Sequence, residues 1–331
     1  MIETSWKAAR RGFSAVYRRG FFLVALAHPA LAPAQTNLTV AADGSAQYKT
    51  VQEAINATPQ SASPANPVFI HIQPGTYKEL IYVQREKRFL HLVGENPDTT
   101  ILTYDLYADI KGPDGKAIGT FRTPSVFVDA DDFSAEGLTF ENSAGPKGQA
   151  LAIRVDGDRV SFRNCRFLGW QDTILDNRGR HYYTNCYIAG ATDFIFGGAQ
   201  SFFDHCQIHC AGNGYITAAS TPAAQPFGFV FADCKITGAT NEARTFLGRP
   251  WRAFASVAFL HTEMSEVVRP AGWDNWKDPT REKTARYAEY QNSGPGAAAT
   301  NRCSWSRQLS SDQAAAYALD DVLGGQDHWK P

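Results

Sequence analysis

Apolar and polar residues alternate in short runs along most of this chain, and the runs are bounded by Gly, Asn and Asp. Four of them share one form: a polar residue, Cys, any residue, then Phe or Ile. They are Asn164-Cys165-Arg166-Phe167, Asn185-Cys186-Tyr187-Ile188, His205-Cys206-Gln207-Ile208 and Asp233-Cys234-Lys235-Ile236. Gly137-Leu138-Thr139-Phe140 is an earlier copy with Leu in the Cys position, and equivalent positions recur every 20 to 28 residues. The alternation puts Cys165 and Phe167 on one strand face and Asn164 and Arg166 on the other. A short strand recurring at this interval marks a solenoid, whose repeats bury their apolar faces against one another. Short aliphatic strands and polar turns predict an all-β fold of stacked coils of parallel sheet.

The two ends break the pattern. Val51, Ala54 and Ile55 at helical spacing predict a short helix over the N-terminal end of the stack. Ser310 and Gln313 fit a capping box, and the helical run 314–323 stops at Gly324-Gly325. Solenoids need such end caps. No linker interrupts the repeats, so residues 35–331 read as one domain. Residues 1–34 differ. Lys7, Arg10, Arg11, Arg18 and Arg19 face a single acid, Glu3, and residues 21–27 are apolar. Small residues then lead to Ala32-Pro33-Ala34, so the segment reads as a signal peptide cleaved after Ala32 or Ala34. The expected location is therefore extracellular or periplasmic, and Arg10-Arg11 hints at a twin-arginine route.

Composition narrows the function. The 331 residues are 44% hydrophobic with a net charge of −1, to which the leader contributes +4 and the remainder −5. The remainder is acidic, without the basic footprint of a nucleic-acid binder. No stretch is apolar enough to span a membrane. Export permits disulfides. Neighbouring coils sit about 4.8 Å apart, within disulfide reach. Cys186–Cys206 is the first choice of pair; Cys165–Cys186 with Cys206–Cys234, or a ladder of free thiols, are the alternatives. Asn37-Leu38-Thr39 and Asn56-Ala57-Thr58 fit the glycosylation pattern.

The repeat also aligns two acids. Asp172 lies seven positions after Cys165, and Asp193 lies seven after Cys186. Regular coils would set these carboxylates side by side. Two close carboxylates cannot both ionise freely, so one is expected to keep its proton beside an ionised partner. That pairing suits nucleophilic and acid–base hydrolysis. The same residues on a solvated turn would have no catalytic role.

Five segments resemble the signature blocks of the pectinesterase family, in the family's order: Gly75-Thr76-Tyr77-Lys78-Glu79, then residues 148–154 from Gly148-Gln149 to Ile153-Arg154, Gln171-Asp172-Thr173, Asp193-Phe194-Ile195-Phe196-Gly197 and Leu247-Gly248-Arg249-Pro250-Trp251. Residues 141–146 and Gly272-Trp273 are also similar, and the resemblance spans roughly residues 38 to 330. It implies a right-handed, single-stranded parallel β-helix with short helical caps. It further implies hydrolysis of the methyl esters of polygalacturonate (pectin) through an acyl-enzyme, without metal or other cofactor. In that reading Asp193 is the nucleophile and Asp172 the acid, then base. Gln149 and Gln171 donate to the oxyanion, Arg249 orients Asp193, and Trp251, Phe196 and Trp273 contact sugar. Gln149 and Arg249 do not fall at the seven-residue offset, so only the resemblance assigns them. Arg154, Arg178, Arg180, Arg244 and Arg252 are candidates to line a groove for galacturonate. Other readings are a pectate lyase or polygalacturonase, an esterase for another ester or thioester, and a non-catalytic polysaccharide-binding β-helix. A monomer is expected.

Overall fold

A computed structural model describes residues 36–242 and 244–331. The expected leader lies outside the described residues. From Gln35 to Pro331 the chain forms one unit. Each coil contributes strands to three parallel ladders. The first ladder is eleven strands long, from Thr36–Val40 to Arg307–Gln308. The second holds the strands that follow the Cys positions, such as Arg166–Leu168 paired with Thr139–Asn142 and Tyr187–Gly197. The third runs through Val126–Val128, Ile153–Val155 and Ile174–Asp176. The long strands Tyr187–Gly197 and Gln207–Ala219 bend and belong to both the second and third ladders. This is the parallel β-helix expected from the sequence.

The repeat works through one backbone feature. Asn164, Asn185, His205 and Asp233 all take left-handed φ, between 49° and 54°. Asn and Asp tolerate this region through local side-chain hydrogen bonding. The turn drives the chain from the first ladder into the second and points the next residue, Cys, inward. Inside, like residues stack in register. The rings of Phe162, Tyr183, Phe203, Phe231 and Phe259 follow one another at 4.4–4.9 Å with interplanar angles of 8–16°. Burying each such ring contributes roughly 1.5–3 kcal/mol.

The cysteines share this ladder but do not bond. All six are free thiols, so neither Cys186–Cys206 nor the other pairing is present. In the four repeat segments each Sγ instead approaches a carbonyl of the preceding coil. The distances are 3.5 Å for Cys165 to Ala135, 3.6 Å for Cys186 to Phe162, 3.5 Å for Cys206 to Tyr183 and 3.3 Å for Cys234 to Phe203. They fill the core as small hydrophobes.

The helix Val51–Ala57 buries Val51, Ala54 and Ile55 against the N-terminal coils. Its free amides are capped by Glu79, whose carboxylate accepts from Val51 N at 2.8 Å and Gln52 N at 2.9 Å. Glu79, in the first signature block, thus serves the cap. At the other end the capping box on Ser310 forms, but the helical run is two short helices, Ser311–Ala315 and Leu319–Leu323. Between them Tyr317 packs edge-on to Phe227 at 5.4 Å. These helices lie along the outer face of the first ladder, where Val322 and Leu323 cover Phe202, Val230 and Ala258.

Candidate active site

The turn between the second and third ladders carries the polar residues of the signature blocks. Gln149 bridges to Gln171, and Gln171 to Thr192, in parallel register. Asp172 N donates to Thr192 O at 3.1 Å, which sets Asp172 beside Asp193 on the next coil. Both aspartates have left-handed φ, 64° and 50°. Aspartate tolerates this region in turns, as Asn164 and Asn185 do at the preceding corner of the same coils. Gln149 joins this register although its offset from the repeat is longer. The extra residues form a turn pinned by Asn142, whose amide donates to Leu106 O and Leu151 O, both at 3.0 Å.

Asp193 is 6% exposed and held by a bidentate pair: Arg249 Nε to Oδ1 at 2.9 Å and Nη2 to Oδ2 at 2.6 Å. Asp172, 8% exposed, has no side-chain hydrogen bond among the described residues. Burial and then the charge of Asp193 push the Asp172 carboxyl well above the usual range, against a smaller pull from Arg249. Burial also raises Asp193, but the two Arg249 hydrogen bonds and its charge pull directly against it. Asp193 therefore ionises first, and Asp172 retains its proton longer. The side-chain amides of Gln149 and Gln171 have no partner within the described protein and open onto the same space, a cavity of about 300 Å³. That volume lies at the small end of ligand pockets. A larger hollow of about 400 Å³, lined by Thr39, His71, Gln73 and Glu95, lacks paired carboxylates and an arginine.

The aromatic wall differs in part from the expectation. Phe196 and Trp251 line the cavity, 5.8 Å apart edge to face, over a floor of Leu151, Leu175 and Ala218. Trp273 does not. It bridges in register to Gly248 and turns inward, 2% exposed, against Tyr287 at 4.3 Å. Its indole N–H donates to Glu289 at 3.1 Å, so its polar edge is also spent in the core. Trp276, three residues on, takes the wall position instead, opposite Phe121 from a short 3₁₀ turn. The sequence reading named neither. The signal available for Trp276 was an aromatic residue inside a polar Asp-Asn-Trp-Lys turn, where core packing is a poor explanation. Of the groove arginines, Arg154 and Arg178 pair with Asp156, Arg180 with Asp158 and Asp327, and Arg244 with Glu242. Arg252 lies over the Trp251 ring at 4.6 Å.

An acid that holds its proton, an arginine-bound carboxylate and two free amides around one small cavity can add a nucleophile to a carbonyl, stabilise the oxyanion and protonate the leaving group. Comparisons with known proteins agree on the family. The Pectinesterase family model matches residues 37–326. Pectinesterase 31 of Arabidopsis thaliana is 42% identical over 284 residues, covering 84% of this chain and 89% of that protein. Pectin methylesterase from carrot superposes with a TM-score of 0.81 at 32% identity, over 88% of this chain and 94% of that one. A pectin methylesterase solved in complex with a hexasaccharide superposes with a TM-score of 0.76 at 27% identity, over 90% and 100% of the two chains. With coils, signature blocks and relatives all in accord, this chain belongs to the pectinesterase family of carboxylic ester hydrolases.

Proposed function

We propose that this protein hydrolyses the methyl esters of polygalacturonate by a two-aspartate, metal-free route. Ionised Asp193 attacks the ester carbonyl carbon, and the oxyanion that forms accepts hydrogen bonds from the amides of Gln149 and Gln171. Collapse of this intermediate breaks the bond to methoxide, which takes the proton of Asp172 and leaves as methanol. The galacturonyl group is then an anhydride on Asp193. Asp172, now ionised, removes a proton from water as the water attacks that carbonyl, and Asp193 is released with a free galacturonate. Phe196, Trp251 and Trp276 supply the apolar wall on which a sugar ring and a methyl ester rest.

The observation that carries this reading is the register of Asp172 and Asp193 on adjacent coils, with Arg249 bound to only one of them. Adjacent strands are about 4.8 Å apart. Inverting glycosidases hold their carboxyls about 6.5–9.5 Å apart, which disfavours a polygalacturonase. The basic and apolar leader ending Ala32-Pro33-Ala34 supports export, so the enzyme meets its polysaccharide outside the cytoplasm, as a monomer.

The test is methanol release from highly methylated pectin by residues 35–331, with and without EDTA, while following the absorbance of unsaturated products. Methanol release unaffected by EDTA, with no unsaturated product, is the expected result. A folded protein that releases no methanol would overturn the assignment of substrate and turn attention to thioesters and other uronate esters.

A further inference from the structure

Arg249 is gripped on both faces. Its guanidinium carbon lies 3.8 Å from the centroid of Tyr215 and 3.8 Å from that of Trp276. The sandwich is the middle of a longer column. Behind Tyr215, Phe246 stacks at 5.4 Å and 11°, and Arg269 caps Phe246 at 4.9 Å. Beyond Trp276, Arg281 closes the column at 5.8 Å. Both end arginines are fixed: Arg269 Nε donates to Arg244 O at 3.1 Å, and Arg281 donates to Asp278 at 3.0 Å and to Pro250 O at 2.5 Å.

The backbone bears a strain to build this column. Trp276 and Lys277 are consecutive non-glycine residues with left-handed φ, 61° and 55°. The turn is held by Trp276 N donating to Asp274 Oδ1 at 2.8 Å, while Asp274 N donates to Gly248 O at 3.1 Å. Left-handed bulky residues are rare, and a pair of them persists only where the surroundings enforce it. Tyr215 stands in strand register with Phe246 and does not line the cavity. With both faces covered, the guanidinium presents only its edge, and that edge meets Asp193.

We infer that Tyr215 and Trp276 are positioning residues: they fix the plane of Arg249, and through it the orientation and charge of Asp193. This rests on the reading of Asp193 as nucleophile. A cation between two rings is stabilised electrostatically on each face. A flexible arginine would share its hydrogen bonds with water and with other carboxylates, and Asp193 would lose both its fixed geometry and part of the charge that keeps it ionised. Tyr215 is the cleaner probe, because Trp276 also touches the substrate cavity.

The experiment compares Tyr215→Leu and Tyr215→Phe with the wild type on methylated pectin. Tyr215→Leu is expected to lower kcat by about tenfold, leave KM close to wild type, and shift the acid limb of the kcat–pH profile upward. Tyr215→Phe keeps the ring and is expected to retain both kcat and the limb. A Tyr215→Leu enzyme with unchanged kcat and limb, or a Tyr215→Phe enzyme as impaired as the leucine variant, would overturn the inference. A measurement free of turnover accompanies it. The Arg249 Nε–H resonance, assigned by its loss in Arg249→Lys, is expected well upfield of where its hydrogen bond to Asp193 alone would place it, because the two rings shield it. The downfield position of an unshielded, carboxylate-bonded arginine would overturn the clamp even if neither variant folds. An upfield shift in a protein that releases no methanol would preserve the clamp and sink the proposed function alone.

Discussion

Asp172 and Asp176 lie four residues apart on one coil, and both are buried, yet their surroundings are opposite. Asp176 is fully enclosed and surrounded by polar partners. It accepts from Tyr183 Oη and Ser201 Oγ, both at 2.6 Å, and faces His181 Nδ1 at 2.9 Å. His181 donates from Nε2 to Gly157 O at 3.0 Å. Burial works against protonation of His181, but the charge and hydrogen bonding of Asp176 outweigh it and raise its pKa. Asp172 has no such company. Among the described residues no side chain bonds its carboxyl, and the charges that act on it are Asp193, alike in sign, and, less strongly, Arg249. The lesson is that burial alone does not make a reactive carboxyl. A buried acid hydrogen-bonded by its neighbours is a structural group, whereas one left facing a cavity beside another acid holds a proton it can give away.

Three substitutions press on this contrast. The largest effect is expected from Asp172→Asn, which should cost at least about 10³-fold in kcat, in the range of a lost general acid. The same change should stabilise the fold, in a pH-dependent way. A carboxyl whose pKa is raised on folding adds stability below its unfolded value near 3.9 and loses it as pH climbs to the folded value. Asparagine has no such loss. The melting temperature of Asp172→Asn should therefore exceed wild type by a margin that widens as pH rises from about 4. A margin that stays flat or narrows would mean that Asp172 is not an unfavourable buried acid.

Next in size is Asp176→Ala, expected to leave Tyr183 and Ser201 without their acceptor and His181 without the carboxylate it faces. Removing one partner of a buried pair costs about 3–5 kcal/mol, readable by urea unfolding. Catalysis by whatever fraction remains folded should be little altered. A stable, inactive Asp176→Ala would erase the distinction between the two acids. The smallest effect is expected from Arg249→Lys. It keeps the charge but loses the planar fork, so kcat should fall by about 10- to 100-fold, with the acid limb of the profile moved upward. An unshifted limb would separate Arg249 from the ionisation of Asp193.

The carboxylate pair was legible in the sequence because a solenoid converts spacing into position. Once Cys165 and Cys186 are equivalent, residues seven places later are neighbours, and the structure brings Asp172 and Asp193 together. Gln149 and Arg249 were not legible in this way. The turns before them are longer, and a turn can absorb residues on the outside of the stack without disturbing the ladders. Free thiols were one of the alternatives, but the first choice, Cys186–Cys206, does not form. Coil spacing satisfies disulfide geometry, but spacing does not say that each sulfur faces a backbone carbonyl. Trp273 and Trp276 were exchanged because the ladder register of Trp273, set by Gly248, is a tertiary fact. The break between the C-terminal helices follows from Tyr317 packing against Phe227, another contact no local pattern encodes.

The site draws on six consecutive coils of the third ladder: those bearing Gln149, Asp172, Asp193, Tyr215, Arg249 and Trp276. In a solenoid each repeat is stabilised mainly by its immediate neighbours, so the ends can fray while the middle holds. Turnover in this protein is consequently a gauge of the central rungs alone. Damage to rungs outside this block would leave it untouched, and loosening between any two of the six would silence it well before the rest of the chain let go.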